Sequence, residues 1–224
     1  YYMELARRNP KHKKYHGDDA MWKEAEDLMR QAMERSGVRY VVQNDGAAFY
    51  GPKIDFQIKS VTGRVFSAST NQIDLFMPKK FELKYIDKEG KEQYVACIHR
   101  SPLGTHERFI GFLIEHFAGA FPAWLHPTQV QIIPVGRDHV EPAEKLAQIF
   151  RDDGVRVTVD SADETVGYKI RKAEKFKVPY MLVIGDREKD LKKLSIRVRG
   201  KKETQEMDLK DFKDALVAEI GERK

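Results

Sequence analysis

One stretch constrains the fold more than any other, the run from Val95 to Phe117. An extended segment ends in Ile98-His-Arg-Ser101 and runs into Pro102-Leu-Gly104. From Phe109 the apolar residues Phe109, Ile110, Leu113, Ile114 and Phe117 then recur at helical spacing. The hydrophobic period switches from strand-like to helix-like across a Pro/Gly breaker, which predicts a strand, a turn and a helix in succession. Polar groups that cores seldom hold gather at the junction: His99, Arg100, Thr105, His106, Glu107 and Arg108. The residues before this stretch read as the rest of one sheet, and those after it as a separate domain.

Before the junction, Asp18-Asp19 offers a helix N-cap. Met21, Ala25, Leu28, Met29 and Ala32 recur on one face, and Gly37 supplies a stop, so an amphipathic helix is expected here. Val38–Gln43 reads as a strand and Asn44-Asp-Gly46 as a turn. In the next strand, ending at Ile58, Lys53, Asp55 and Gln57 alternate with Ile54, Phe56 and Ile58. Such a polar face belongs either to a half-solvated edge strand or to a sheet lining a site. Arg64–Leu75 comes next, carrying Ser67, Ser69, Thr70 and Gln72; small residues on a strand let a ligand approach the backbone. Phe81–Ile86 and Lys91–His99 flank the turn Asp87-Lys-Glu-Gly90 as a hairpin. The expectation is a mostly antiparallel sheet of several strands, with the His99 strand last and the next helix packed on it.

After Trp124-Leu-His-Pro127 the rhythm changes. Strands at 129–134, 155–160, 179–184 and 194–199 alternate with helices at 141–153, 166–176 and 208–220, the pattern of a small α/β domain. Between Thr165 and Lys202 there are thirteen lysines and arginines against four acids, so the net charge of +5 is concentrated there. That marks either a solvated helix face or a surface turned towards phosphates.

Several classes of function are unsupported. No apolar run approaches the ~20 residues of a membrane span. A single cysteine, Cys97, leaves no internal disulfide and suits a reducing cytoplasm. No glycine pattern matches a P-loop or dinucleotide fingerprint, and no nucleophile elbow is present. Cys97 and His99 share a strand face, but two ligands do not make a zinc site. Arg108, at a helix start, could pair with Glu107 or clamp a phosphate.

Ile98-His-Arg-Ser-Pro-Leu-Gly-Thr-His-Glu-Arg-Phe-Ile-Gly-Phe-Leu-Ile-Glu-His-Phe-Ala-Gly resembles motif 3 of the threonyl-tRNA synthetases, class II aminoacyl-tRNA synthetases. Ala48-Phe-Tyr-Gly-Pro-Lys-Ile-Asp-Phe, Thr70-Asn-Gln-Ile-Asp and Val178-Pro-Tyr-Met-Leu-Val-Ile-Gly-Asp are similar to further segments of that family, in the same order. The resemblance implies an α+β fold: part of an antiparallel class II catalytic sheet over residues 1–125, then an α/β anticodon-binding domain with a mixed sheet over 126–224. It implies activation of L-threonine by ATP with Mg2+ and transfer to tRNA(Thr), in a cytoplasmic homodimer without membrane attachment. By position, Arg108 resembles the arginine on the ATP phosphates, and Gln72 a residue facing the adenylate. Gly104 and Thr105 lie where the chain passes the adenine. Tyr50 and Lys53 lie beside the amino acid, and His99 resembles one of three ligands of a Zn2+ that binds the threonine amino and hydroxyl groups. Arg171, Lys177, Glu188 and Asp163 resemble anticodon contacts, with Asp163 standing where the family often has asparagine. Ala68-Ser69 replaces a frequent Cys-Gly, and Asn71 an apolar residue.

Motifs 1 and 2 and the other two zinc ligands would lie upstream, so the chain reads as the C-terminal part of such an enzyme, inactive when isolated. A non-catalytic synthetase-like protein that binds tRNA or regulates is the competing expectation. A prolyl-type enzyme is disfavoured by His99 before the Pro/Gly turn.

Overall fold

The computed structural model describes residues 1–223. Asp18 opens helix α1 (Asp19–Ser36), its carboxylate accepting from the Met21 N–H at 2.8 Å. Gly37 ends the helix in the left-handed region, φ 66°, where a residue without Cβ is unstrained. The face bearing Ala25, Met29 and Met33 packs on Met3, Leu5, Ile54 and Ile73 to form the core of the first compact unit, Tyr1–His116. Burial of these side chains, more than helix propensity, holds α1 in place.

The sheet beneath it contains β1 (Tyr2–Arg7), β2 (Tyr40–Asn44), β3 (Lys53–Lys59), β4 (Val65–Asp74) and β7 (Cys97–Ser101), in the order β2-β1-β3-β4-β7. All pairs are antiparallel except β1 with β2. β3 is therefore central, and its polar face is not that of an edge strand.

Two expectations need correction. The hairpin strands β5 (Lys84–Ile86) and β6 (Glu92–Tyr94) form a separate two-stranded ribbon. The Val95 N–H bonds back to the Leu83 carbonyl at 3.1 Å, and only from Cys97 does the chain join the main sheet. Short helix α2 (Met77–Lys80), with Pro78 in its first turn, precedes that ribbon. Helix α3 (His106–His116) forms as expected but has no fully buried residue. Phe112 packs edge-to-face on Phe66, while Ile110 and Ile114 are 53% and 49% exposed.

The second unit, from Phe117 on, holds β8 (Val130–Pro134), α4 (Val140–Asp152), β9 (Val157–Val159), α5 (Val166–Lys175), β10 (Tyr180–Ile184), β11 (Lys193–Val198), β12 (Thr204–Asp208) and α6 (Leu209–Gly221). Its sheet runs β12-β11-β10-β8-β9. β8, β9 and β10 are parallel and the remaining pairs antiparallel, so the sheet is mixed. Val130, Ile132, Leu146, Phe150, Leu182, Ile184, Leu194 and Ile196 fill its core. Strand β12 has no counterpart among the strands expected from sequence: Thr-Gln-Glu-Met-Asp lacks apolar alternation and is an edge strand held by backbone pairing to β11.

Candidate functional site

Register builds a polar row across the first sheet. Lys53 lies opposite Gln72, and Gln72 opposite His99; one step along, Asp55 lies opposite Thr70, and Thr70 opposite Ser101. The irregularity between β3 and β4 falls after Phe56, so it leaves the row intact. Strand alternation sends Ile54 and Ile73 to the α1 side, and Lys53, Asp55, Thr70, Gln72, Asp74, Cys97 and His99 to the other face.

The side chains of this row engage one another. The Tyr50 hydroxyl donates to Gln72 Oε1, and its ring centroid lies 5.2 Å from that of His99. Lys53 Nζ sits 2.7 Å from Asp55 Oδ2. Asp74, 1% exposed, accepts from His99 Nε2 at 3.1 Å and from the Phe76 and Met77 N–H groups at 3.0 and 2.8 Å. Burial, with the Asp74 charge adding to it, pushes the Tyr50 phenol above its ordinary pKa. Gly51 brings the Tyr50 segment close, since a Cβ there would run into the Ile73 carbonyl. Thr70 Oγ1 is buried without a hydrogen-bond partner among the described residues. An orphaned hydroxyl beside Asp55 and Ser101 suits a face that receives a ligand. Phe49, Tyr50, Met77, Pro78, Cys97 and His99 line a cavity of about 290 Å³ at this end of the row.

The turn residues stand beside the row. Gly104 takes φ 64°, and a Cβ there would lie 3.5 Å from the Ala68 carbonyl. Thr105 Oγ1 accepts from the Arg108 N–H at 3.3 Å, capping α3. The Arg108 side chain is exposed, and among the described residues no ion pair joins it to Glu107. No three His, Cys, Asp or Glu side chains among the described residues converge to hold a metal. His99 offers one nitrogen with a carboxylate partner, so these residues alone do not fit zinc.

In the second unit, Asp163 and Glu188 follow β9 and β10, at the edge where the parallel strands end. Lys177 precedes β10, at the opposite end of that strand. The Lys177 ammonium donates to the Ala118 carbonyl. Glu188 accepts from the Gly185 N–H at 3.1 Å and the Ser195 hydroxyl at 2.7 Å. Asp163 makes an exposed pair with Arg137 at 3.4 Å, and Arg171 projects from α5 without an acidic partner among the described residues. The four are thus not gathered at one point. A groove of about 320 Å³ beside α5 is lined by Arg197, Lys201 and Lys202 along with Glu174, Val178 and Met181. The sequence counts those cations in its basic stretch without grouping them, and it does not mark Asp74. Asp74's even spacing from Thr70 and Gln72 is the available signal.

Residues 10–117 match the tRNA synthetase class II core domain (G, H, P, S and T), and residues 129–219 match the anticodon binding domain. A threonine–tRNA ligase of Thermotoga neapolitana is 46% identical over 208 residues, which is 93% of this chain. The chain belongs to the threonyl-tRNA synthetase family. It spans only 32% of that ligase. Among solved structures, the RNA binding domain of threonyl-tRNA synthetase from Cryptosporidium parvum superposes with a TM-score of 0.85 at 30% identity, over 97% of this chain and 54% of that one. The prolyl-tRNA synthetase of the same organism, with a TM-score of 0.55 and 20% identity over 79% of this chain and 43% of that one, shares the fold. As a member of the threonyl family, the chain combines a class II core segment with an anticodon-binding domain, and the expected antiparallel and mixed sheets are both present.

Proposed function

We propose that the chain is the C-terminal part of a cytoplasmic, homodimeric threonine–tRNA ligase, with residues 1–125 forming one wall of the catalytic site and 126–224 reading the anticodon. In the whole enzyme the threonine carboxylate attacks the α-phosphate of Mg2+-bound ATP and pyrophosphate leaves. The terminal ribose hydroxyl of tRNA(Thr) then attacks the threonyl carbonyl, releasing AMP. Arg108 stabilises charge developing on the phosphates, which an exposed guanidinium at a helix start can do. Gln72, held by Tyr50, faces the adenylate, while Tyr50 and Lys53 border the amino acid. Gly104 and Thr105 let the chain pass the adenine closely. His99 is one zinc ligand, the remainder coming from outside these residues. Asp163, Arg171, Lys177 and Glu188 contact anticodon bases, with base edges read by hydrogen bonds as is usual for unstacked RNA.

The observation that carries this reading is the register aligning Lys53, Gln72 and His99 across three strands. A purely RNA-binding protein has no use for such a row. The test is threonine-dependent ATP–pyrophosphate exchange. The isolated chain is expected to be inactive, and the same chain joined to its upstream reading frame active; robust exchange by the isolated chain, or none by the joined protein, contradicts the proposal.

A further inference from the structure

On the β9 side of α5 the second unit holds a cavity of about 430 Å³, which meets the Arg197 groove only at Val178. That volume lies within the ~300–1,000 Å³ common to small-ligand sites. Phe121, Gln131, Thr158, Asp160, Lys172 and Phe176 supply its distinctive walls, and none of Asp163, Arg171, Lys177 or Glu188 lines it. Gln131 on β8 stands opposite Thr158 on β9, and the Gln131 amide has no hydrogen-bond partner among the described residues. Phe176, just past the last turn of α5, is 67% exposed. It sits in the run Arg171-Lys-Ala-Glu-Lys-Phe-Lys177, an aromatic ring interleaved with cations. The rim is held in place by His126. That residue is 4% exposed, with Nε2 3.1 Å from the Phe176 carbonyl and Nδ1 2.5 Å from the Thr128 carbonyl.

Charge inside the cavity selects its occupant. Lys172 Nζ is paired with Asp160 at 3.2 Å, so cation and anion offset each other there and a phosphate gains little by entering. Lys175 is exposed and has no acidic partner among the described residues. A ligand that is planar and neutral inside and anionic outside fits this arrangement. An amide presenting both a donor and an acceptor matches a base edge, and an exposed ring matches a base face.

We propose that this cavity takes one unstacked nucleobase of the bound RNA, separate from the bases met by Asp163, Arg171, Lys177 and Glu188, with Phe176 as its stacking face and Gln131 reading its edge. The inference rests on the RNA-binding reading of this unit. It is tested by titrating a tRNA(Thr) transcript into the 224-residue chain and its variants at several salt concentrations. Phe176→Ala is expected to weaken binding by roughly fivefold or more, the low end of one base stack, with Phe176→Tyr close to wild type and Gln131→Ala weakened. Because stacking releases no counterions, the salt slope of Phe176→Ala stays that of wild type, whereas Lys175→Ala flattens it. Unchanged affinity in Phe176→Ala, or a Tyr variant as weak as Ala, overturns the inference. If Arg171→Ala loses affinity in that case, the RNA-binding reading survives alone. If the wild-type chain binds no tRNA, both fall.

Discussion

Asp74 joins three things through one buried carboxylate: the end of β4, the start of α2 and the ring of His99. Asp74→Ala leaves the Phe76 and Met77 N–H groups without their acceptor, and is expected to lower the unfolding free energy by about 1–3 kcal/mol in urea titration. Asp74→Asn, which keeps an acceptor oxygen, should cost less; an unchanged midpoint in the alanine variant contradicts this assignment. Tyr180 in the second unit gives a pH-dependent counterpart. Its hydroxyl donates to Glu219 Oε2 at 2.5 Å, and burial, reinforced by that carboxylate, drives the phenol well above its ordinary range. The folded state therefore holds this proton more tightly than the unfolded chain does. The resulting stability is whole below the ordinary tyrosine pKa of about 10 and is lost as pH rises towards the folded value. The stability gap between wild type and Tyr180→Phe, measured by urea unfolding, should narrow above that point; a constant gap sinks the prediction. Neither residue stands out in the sequence. The alternation of Lys53 and Asp55 hints at a lined site, but the partnerships of Asp74 and Tyr180 arise from strand pairing and a distant helix, which local spacing does not encode.

At the scale of elements, sequence periodicity is informative where one face of a segment is buried. It locates α1 with its Asp18 and Gly37 caps, β3, β4 and the alternating strands and helices of the second unit. It fails where pairing partners decide the outcome. Hairpin alternation does not say which sheet a strand joins, and β5 and β6 form their own ribbon. The stripe on α3 says which face is apolar, not what covers it. β12 is polar and edge-bound, so it has no hydrophobic period to detect. The segment before β3 carries the sharpest test of an element-level contact. At Gly51 an added Cβ meets a backbone carbonyl, which cannot swing aside as a side chain can. Gly51→Ala is expected to cost about 1–3 kcal/mol by overpacking, read as a lowered urea midpoint. A midpoint equal to wild type would mean that the Tyr50 segment does not lie against β4 as described.

The whole molecule joins a catalytic-core segment to a basic α/β unit, and the charge excess between Thr165 and Lys202 lies wholly in the second. The motifs around Tyr50, Gln72 and Arg108 make the family legible from sequence, because several separated segments agree in order. The positions of the Asp163, Arg171, Lys177 and Glu188 side chains are not legible there, and Lys177 and Glu188 prove to be engaged with their own unit's backbone and hydroxyl groups. Whether this unit reads the anticodon of tRNA(Thr), as proposed, is decided by equilibrium titration of the chain at fixed salt with two transcripts differing only in anticodon. The transcript carrying the tRNA(Thr) anticodon is expected to bind about tenfold or more tightly, since one base-edge contact is worth ~1–3 kcal/mol. Equal affinity for the two transcripts would contradict it.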